Sequence, residues 1–235
     1  MPTFATTEPV SLKLELLAAD IRLLAGSHAD GTTVEVSPAD DSAAALKAAE
    51  STTVEFSKDR LEIRTPKQRA PLFGRGSRLS PKFTGDGVIT VTVRLAAGST
   101  VKGVAGLATL TSEGRLGEVR FHSGTGDITL ARTGPLKVET ALGAVTVQHA
   151  DSDVEVKTAN GDIKIGEVGT GSVQLSTSLG SLEVGVRAGT SALLDVSALL
   201  GSVVNDLDAT DGPDGGDRVK ISARTLRGDV WVHRA

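Results

Sequence analysis

The sequence predicts an all-β chain: a single-stranded parallel β-solenoid of rungs about 18 residues long, expected to be right-handed, with a β-rich N-terminal cap. Three observations predict it. A twelve-residue template recurs, reading apolar, x, apolar, x, small, x, x, Gly, x, apolar, x, apolar in VEVKTANGDIKI from Val154 to Ile165. The copies keep a nearly constant spacing, with anchors at Ala108, Gly126, Gly143, Gly161, Gly180, Gly201 and Gly228 at intervals of 18, 17, 18, 19, 21 and 27. Each copy holds two alternating runs around a turn that ends in glycine, which is the period of a strand rather than a helix.

The copies are VRFHSGTGDITL from Val119, LKVETALGAVTV from Leu136, VQLSTSLGSLEV from Val173 and, more loosely, LDVSALLGSVVN from Leu194. VKISARTLRGDVWV from Val219 fits with a two-residue insertion, and VKGVAGLATLTS from Val101 is a degenerate copy. One unit cannot bury its apolar face alone, whereas stacked units line their apolar positions into a shared core. Stacking in chain order gives one inward column of Phe121, Val138, Val156, Leu175, Val196 and Ile221. A second holds Ile128, Val145, Ile163, Leu182, Val203 and Val230. The outward columns read Arg120, Lys137, Glu155, Gln174, Asp195, Lys220 and His122, Glu139, Lys157, Ser176, Ser197, Ser222. They predict ion pairs Lys137–Glu155, Glu139–Lys157 and Lys164–Glu183, each worth a few tenths of a kcal/mol. Parallel crossovers favour the right-handed coil.

Residues 99–235 are read as the solenoid and residues 1–98 as the cap that its open strand edge requires. In the cap Val10, Leu12, Leu14 and Leu16 alternate, and Ile21–Leu23, Thr33–Val36, Thr53–Phe56 and Leu61–Ile63 are short strand candidates. Val88 to Leu95 is the cleanest strand of the chain, and Asp41 before SAAALKAAE marks an N-cap and a short helix.

The cap carries a basic loop, residues 64–86, rich in Pro, Gly and Arg. From Lys58 to Lys82 eight basic residues stand against Asp59 and Glu62, a local balance of +6 in a chain of net charge −4. Arg64, Lys67, Arg69, Arg75, Arg78 and Lys82 are the candidate anion-binding residues, suited to an anionic membrane surface or an acidic partner. Ser77 and Ser80 lie among those arginines, where phosphorylation would cut the positive charge. Nucleic acid is not expected as a partner: aromatic residues make up 3 % of the chain, too few to stack bases, and the net charge is acidic.

With no cysteine, disulfides, thiolate zinc sites and cysteine nucleophiles are excluded. No catalytic residues, cofactor or metal site are expected. His149 with Asp151 and Asp153 offers too few ligands for a metal. Asp208, Asp211, Asp214 and Asp217 lack the pattern of a calcium loop and read as an insertion. Arg227-Gly228-Asp229 is the turn of the repeat rather than an attachment motif. The N-terminal residues lack a basic start and an apolar core of signal length, and no run of membrane-spanning length occurs. A cytoplasmic protein is expected, with membrane association through the basic loop.

The strand end AAGSTV (Ala96 to Val101), GRLGEVRFHSGTGDITL (Gly114 to Leu130), the NGDIKI and RGDVWV turns, and TTVEFSKDRLEIRTPK (Thr52 to Lys67) resemble a known family. It is the bacterial "putative adhesin" or Toastrack β-strand-repeat domain, in a form common in actinobacteria. The resemblance spans nearly the whole chain and rests on structural repeats, which specify fold more than function. It implies a β-solenoid without established enzymatic activity and, from some members, a link to envelope stress. The expected function is a non-enzymatic scaffold or protein-interaction module, monomeric or a small homo-oligomer. Alternatives are a peripheral binder of anionic surfaces, filaments formed by end-to-end stacking, and a carbohydrate-active β-helix enzyme. The last would need a cleft of Asp, Lys and Arg with aromatic sugar platforms.

Overall fold

The computed structural model describes residues 2–6, 8–26, 31–66, 87–207 and 217–235. The cap strands are β1 (Thr3–Phe4), β2 (Ser11–Gly26), β3 (Thr32–Pro38), then helix α1 (Ala43–Ser51), β4 (Thr53–Ser57), β5 (Arg60–Arg64) and β6 (Ile89–Ala96). The coil strands are β7 (Thr100–Leu116), β8 (Val119–Thr125), β9 (Ile128–Thr133), β10 (Leu136–Leu142), β11 (Val145–Ala150), β12 (Val154–Asn160) and β13 (Ile163–Val168). They continue as β14 (Gly171–Leu179), β15 (Leu182–Val186), β16 (Ser191–Leu200), β17 (Val203–Asn205), β18 (Arg218–Arg227) and β19 (Val230–Arg234).

From β8 onward each rung is two strands joined at the template glycine, and equivalent strands pair in parallel from rung to rung, as a parallel β-solenoid requires. The alternating apolar residues point inward: Val119, Phe121, Ile128 and Leu130 are buried, as are their counterparts in the next rungs. Midway through β9, β11 and β13 the alternation breaks. Gln148 and His149 both face out before Ala150 turns in again, so the chain rounds a corner there.

The template glycines hold φ values from +124° to +154°, and each lies against the carbonyl oxygen of the turn in the adjoining rung. A Cβ on Gly161 would stand 2.0 Å from the Gly143 carbonyl oxygen. The small residue of the template forms a second ladder. Ser123, Thr140, Thr158, Thr177 and Thr225 are buried in one column. The Thr177 hydroxyl donates to the Gly161 and Leu179 carbonyls at 3.1 and 3.2 Å, and Thr225 to the Gly180 carbonyl at 2.9 Å. In the Gly-Asp turns, Asp127, Asp162 and Asp229 each accept a backbone N–H of the adjoining rung at 2.7–2.8 Å. This gives Asp229 of the RGD tripeptide a structural task.

Two long strands open the stack. β7 pairs with β8 and β9 on one side and with β2 on the other. Ala108 and Ala19 stand opposite each other where later rungs have glycine, and both strands run on without a break. The parallel ladder thus reaches β2 and continues into β5 and β6. Antiparallel strands then close this end: β4 lies on β5, β3 on β6 and β1 on β3. The cap of α1 is Ser42, one residue beyond the expected Asp41, because its hydroxyl accepts the Ala45 N–H at 3.1 Å.

Chain order and stacking order part company at the far end. β18 pairs with β14 on one side and β16 on the other, and β19 lies between β15 and β17. The last rung of the chain is therefore inserted before the one preceding it. Register changes accordingly: Ile221 faces Val173, Ala223 takes the place beside Leu175, and Lys220 faces Ser172. Ile221 keeps its expected inward face and Lys220 and Ser222 their outward ones, but each stands two residues earlier in register than expected, with Ser222 beside Gln174. The repeat from Val219 needs no insertion, because Gly228 matches Gly180 and the extra residues lengthen the strand at its start.

The ion pairs follow register in part. Lys137–Glu155 closes at 3.0 Å and Lys164–Glu183 at 2.8 Å. The expected Glu139–Lys157 pair is replaced: Lys157 turns along its own strand to Glu155 at 2.5 Å, and Glu139 lies near His122 and Lys137.

Candidate anion-binding site

Outward side chains on neighbouring parallel strands stand about 4.8 Å apart. Strands β2, β7, β8 and β10 place Lys13, Lys102, Arg120 and Lys137 in one such column, bounded by Glu62 and Glu155. Like charges directly opposite one another oppose pairing, and flanking carboxylates relieve most of the repulsion. Lys13 reaches Glu15 at 2.7 Å and Glu62 at 3.2 Å, Arg120 reaches Glu118 at 2.5 Å, and Lys137 reaches Glu155. The Glu15 hydrogen bond raises the Lys13 pKa, and the same contact lowers that of Glu15. Lys102, in the middle of the column, has no ion pair among the described residues.

The column borders an open groove of about 390 Å³. Gly103 and Phe121 are among its lining residues; Gly103 is an inward position without a side chain, and a Cβ there would meet the Phe121 ring at 2.4 Å. Val104 stands at the rim, 56 % exposed, so the free ammonium has an apolar neighbour. A second hollow adjoins it, lined by Glu15, Leu16, Leu17, Arg64, Thr65 and Val104. Arg64, where the basic stretch begins, is one of these lining residues.

Of the residues expected to bind anions, Arg64 lies in β5 with its guanidinium on Glu15 at 3.0 Å and on Glu62. It is neutralised locally. Lys67, Arg69, Arg75, Arg78 and Lys82 lie outside the described residues, as do Ser77 and Ser80. Sequence reasoning missed Lys13 and Lys102, although it placed Arg120 and Lys137 in one column. The signal was present: Lys102 holds the same template position in the degenerate copy from Val101 as Arg120 does from Val119.

On the corner, Asp151 is held by Arg115 at 3.0 Å and by Arg132 at 2.9 Å, and the Arg132 guanidinium keeps its carboxyl below the usual aspartate value. His149 faces Glu167 at 3.5 Å, while Asp153 accepts the Ser172 N–H at 2.8 Å. The histidine and the two aspartates therefore serve separate contacts, and among the described residues no three metal-ligating side chains converge. Asp208, Asp211 and Asp214 lie outside the described residues. Burial would raise Glu183, but the hydrogen bonds of Lys164 and His233 outweigh it and the net direction is down.

A capped parallel β-solenoid with a cationic groove on its outer face is the class of molecule these features define. No protein-family model matches the sequence, and no curated protein does. Among solved structures, a "putative adhesin" from Bacteroides fragilis is 16 % identical, covers 98 % of this chain and 95 % of its own, and has a TM-score of 0.47. A "putative cell adhesion protein" from Clostridium sporogenes is 10 % identical, with coverage of 100 % and 97 % and a TM-score of 0.42. A "putative adhesin" from Parabacteroides distasonis is 13 % identical, with coverage of 98 % and 95 % and a TM-score of 0.40. What this chain binds has to be argued from its own residues.

Proposed function

We propose that this chain is a non-enzymatic binding module, a solenoid that presents a cationic groove, together with the basic residues of 64–86, to an anionic membrane surface. The observation that carries this reading is the column Lys13, Lys102, Arg120, Lys137, in which Lys102, beside exposed Val104, has no ion pair among the described residues. A free ammonium next to an apolar side chain suits a lipid surface, where headgroup charge and apolar depth lie close together. Non-enzymatic action is supported by the carboxylates. Glu15, Asp151, Glu155 and Glu167 are all lowered by basic partners, the opposite of a carboxylic acid poised to donate a proton near neutrality. The setting that agrees with this reading is the cytoplasmic face of a bacterial membrane, in an envelope-stress role.

Co-sedimentation with anionic and neutral vesicles at low and high salt tests it. The expected result is binding to anionic vesicles alone, weakened by salt. Lys102→Glu should lower the affinity about thirtyfold, since each basic residue near such a surface contributes about 1 kcal/mol and reversal counts twice. The triple change Arg69→Glu, Arg75→Glu, Arg78→Glu should abolish binding. Equal affinity for neutral vesicles, or an unchanged Lys102→Glu protein, would refute the reading.

A further inference from the structure

The two ends of the solenoid differ. One is closed by β1, β3, β4 and α1, whereas β16 and β17 pair only with β18 and β19 and leave their other edges unpaired among the described residues. The end rung interrupts the core: Leu194, Val196 and Ala198 pack on it but stay half-buried. Leu193 and Leu199 face outward at 67 % and 74 % exposure, and Asp195 is the one charged residue of the ten in β16. Protective features of a free edge, such as lysine, proline or a short strand, are missing from β16. Of the described residues between β17 and β18, Leu207 is the one apolar side chain, and it packs against the core.

We infer that the occupant of this edge is a second copy of the same chain, giving a closed end-to-end dimer with its two caps at the far ends. Identical edges related by a two-fold axis pair antiparallel, and that pairing is closed. Three neighbouring registers differ in chemistry. With Asp195 on the axis, like charges would meet. With Ser197 on the axis, Asp195 would face Leu199. With Val196 on the axis, Leu193 faces Leu199, Asp195 faces Ser197 and inward Leu194 faces Ala198, each twice. That register matches apolar to apolar and polar to polar, and it provides the free backbone N–H and C=O groups with partners. The cap at the opposite end stops the assembly at two, so the filament alternative is not favoured. The anion-binding groove lies on β2, β7, β8 and β10, away from this edge, so the two readings stand or fall separately.

Sedimentation velocity of the intact chain at rising concentration tests the dimer. A species of twice the chain's mass is expected. The double variant Leu193→Lys/Leu199→Lys should remain monomeric with an unchanged thermal midpoint at dilution, because both side chains already face solvent. The chain has no cysteine, so Leu193→Cys/Leu199→Cys in mild oxidant should yield a covalent dimer that pins the register. A monomer at every concentration, a species larger than a dimer, a dimer indifferent to the lysines, or absence of the cross-link would each overturn the proposal.

Discussion

Gly161 shows how much one residue can decide in this fold. Its φ of +151° is one that residues with a side chain rarely adopt, and its Cα lies against the Gly143 carbonyl. Both constraints act together, so Gly161→Ala should cost about 3 kcal/mol or more. Gly189 also has a positive φ, +79°, but a Cβ there would meet nothing within 4 Å. Gly189→Ala should cost only about 1 kcal/mol, the conformational part alone. Urea unfolding of the two variants measures the difference, and equal losses would remove the role assigned to close packing of the turns. The turn glycines were legible because backbone conformation is a local property and glycine marks it. Gly103 was not legible as a packing residue, since its lack of a side chain makes sense only when the Phe121 ring of the next rung is in place.

At the scale of elements, the stacking order is set by which strands can be paired on both sides. β17 has three residues, against six in β9, β11 and β13, and stops before the corner. A rung so short leaves its neighbour partly unpaired, which is tolerable only at an end. The threonine column agrees: Thr225 continues it beyond Thr177, while Ala198 ends it. The corner residues make a second device, in which Arg132 and Arg115 hold Asp151, and Arg187 with His149 holds Glu167. Folding lowers the pKa of both carboxyls from ordinary values of 3.8 and 4.5. The stability they add is therefore complete above those values and is lost as pH falls through the lowered ones. Arg132→Gln should weaken the fold at neutral pH and leave it unchanged in strong acid, where Asp151 is protonated with or without the arginine. Urea midpoints across acid pH give the comparison; a deficit that persists undiminished in acid would show that Arg132 acts through packing.

For the whole molecule, one end closed by antiparallel strands and one whose edge is unpaired among the described residues imply a gradient of local stability. Central strands such as β12 and β13 are paired on both sides, and their inward residues are fully enclosed. Amides of β16 and β17 should exchange fastest among the coil strands in dilute solution, and those of β12 and β13 slowest. Hydrogen exchange read by mass spectrometry resolves these segments, and uniform protection along the stack would contradict the gradient. The sequence alone determined the rung: its strands, glycine turn, inward and outward faces, and the pairs Lys137–Glu155 and Lys164–Glu183. Those features repeat within eighteen residues and depend on local alternation, so periodicity carries them. Only the tertiary structure decided the order of the rungs, the place of β2 in the ladder and the cationic column that crosses from cap to coil. The physical reason is that rungs sharing one inward pattern can pair with one another in almost any order. Strand length, the closed cap and the position of the open edge then select a single arrangement.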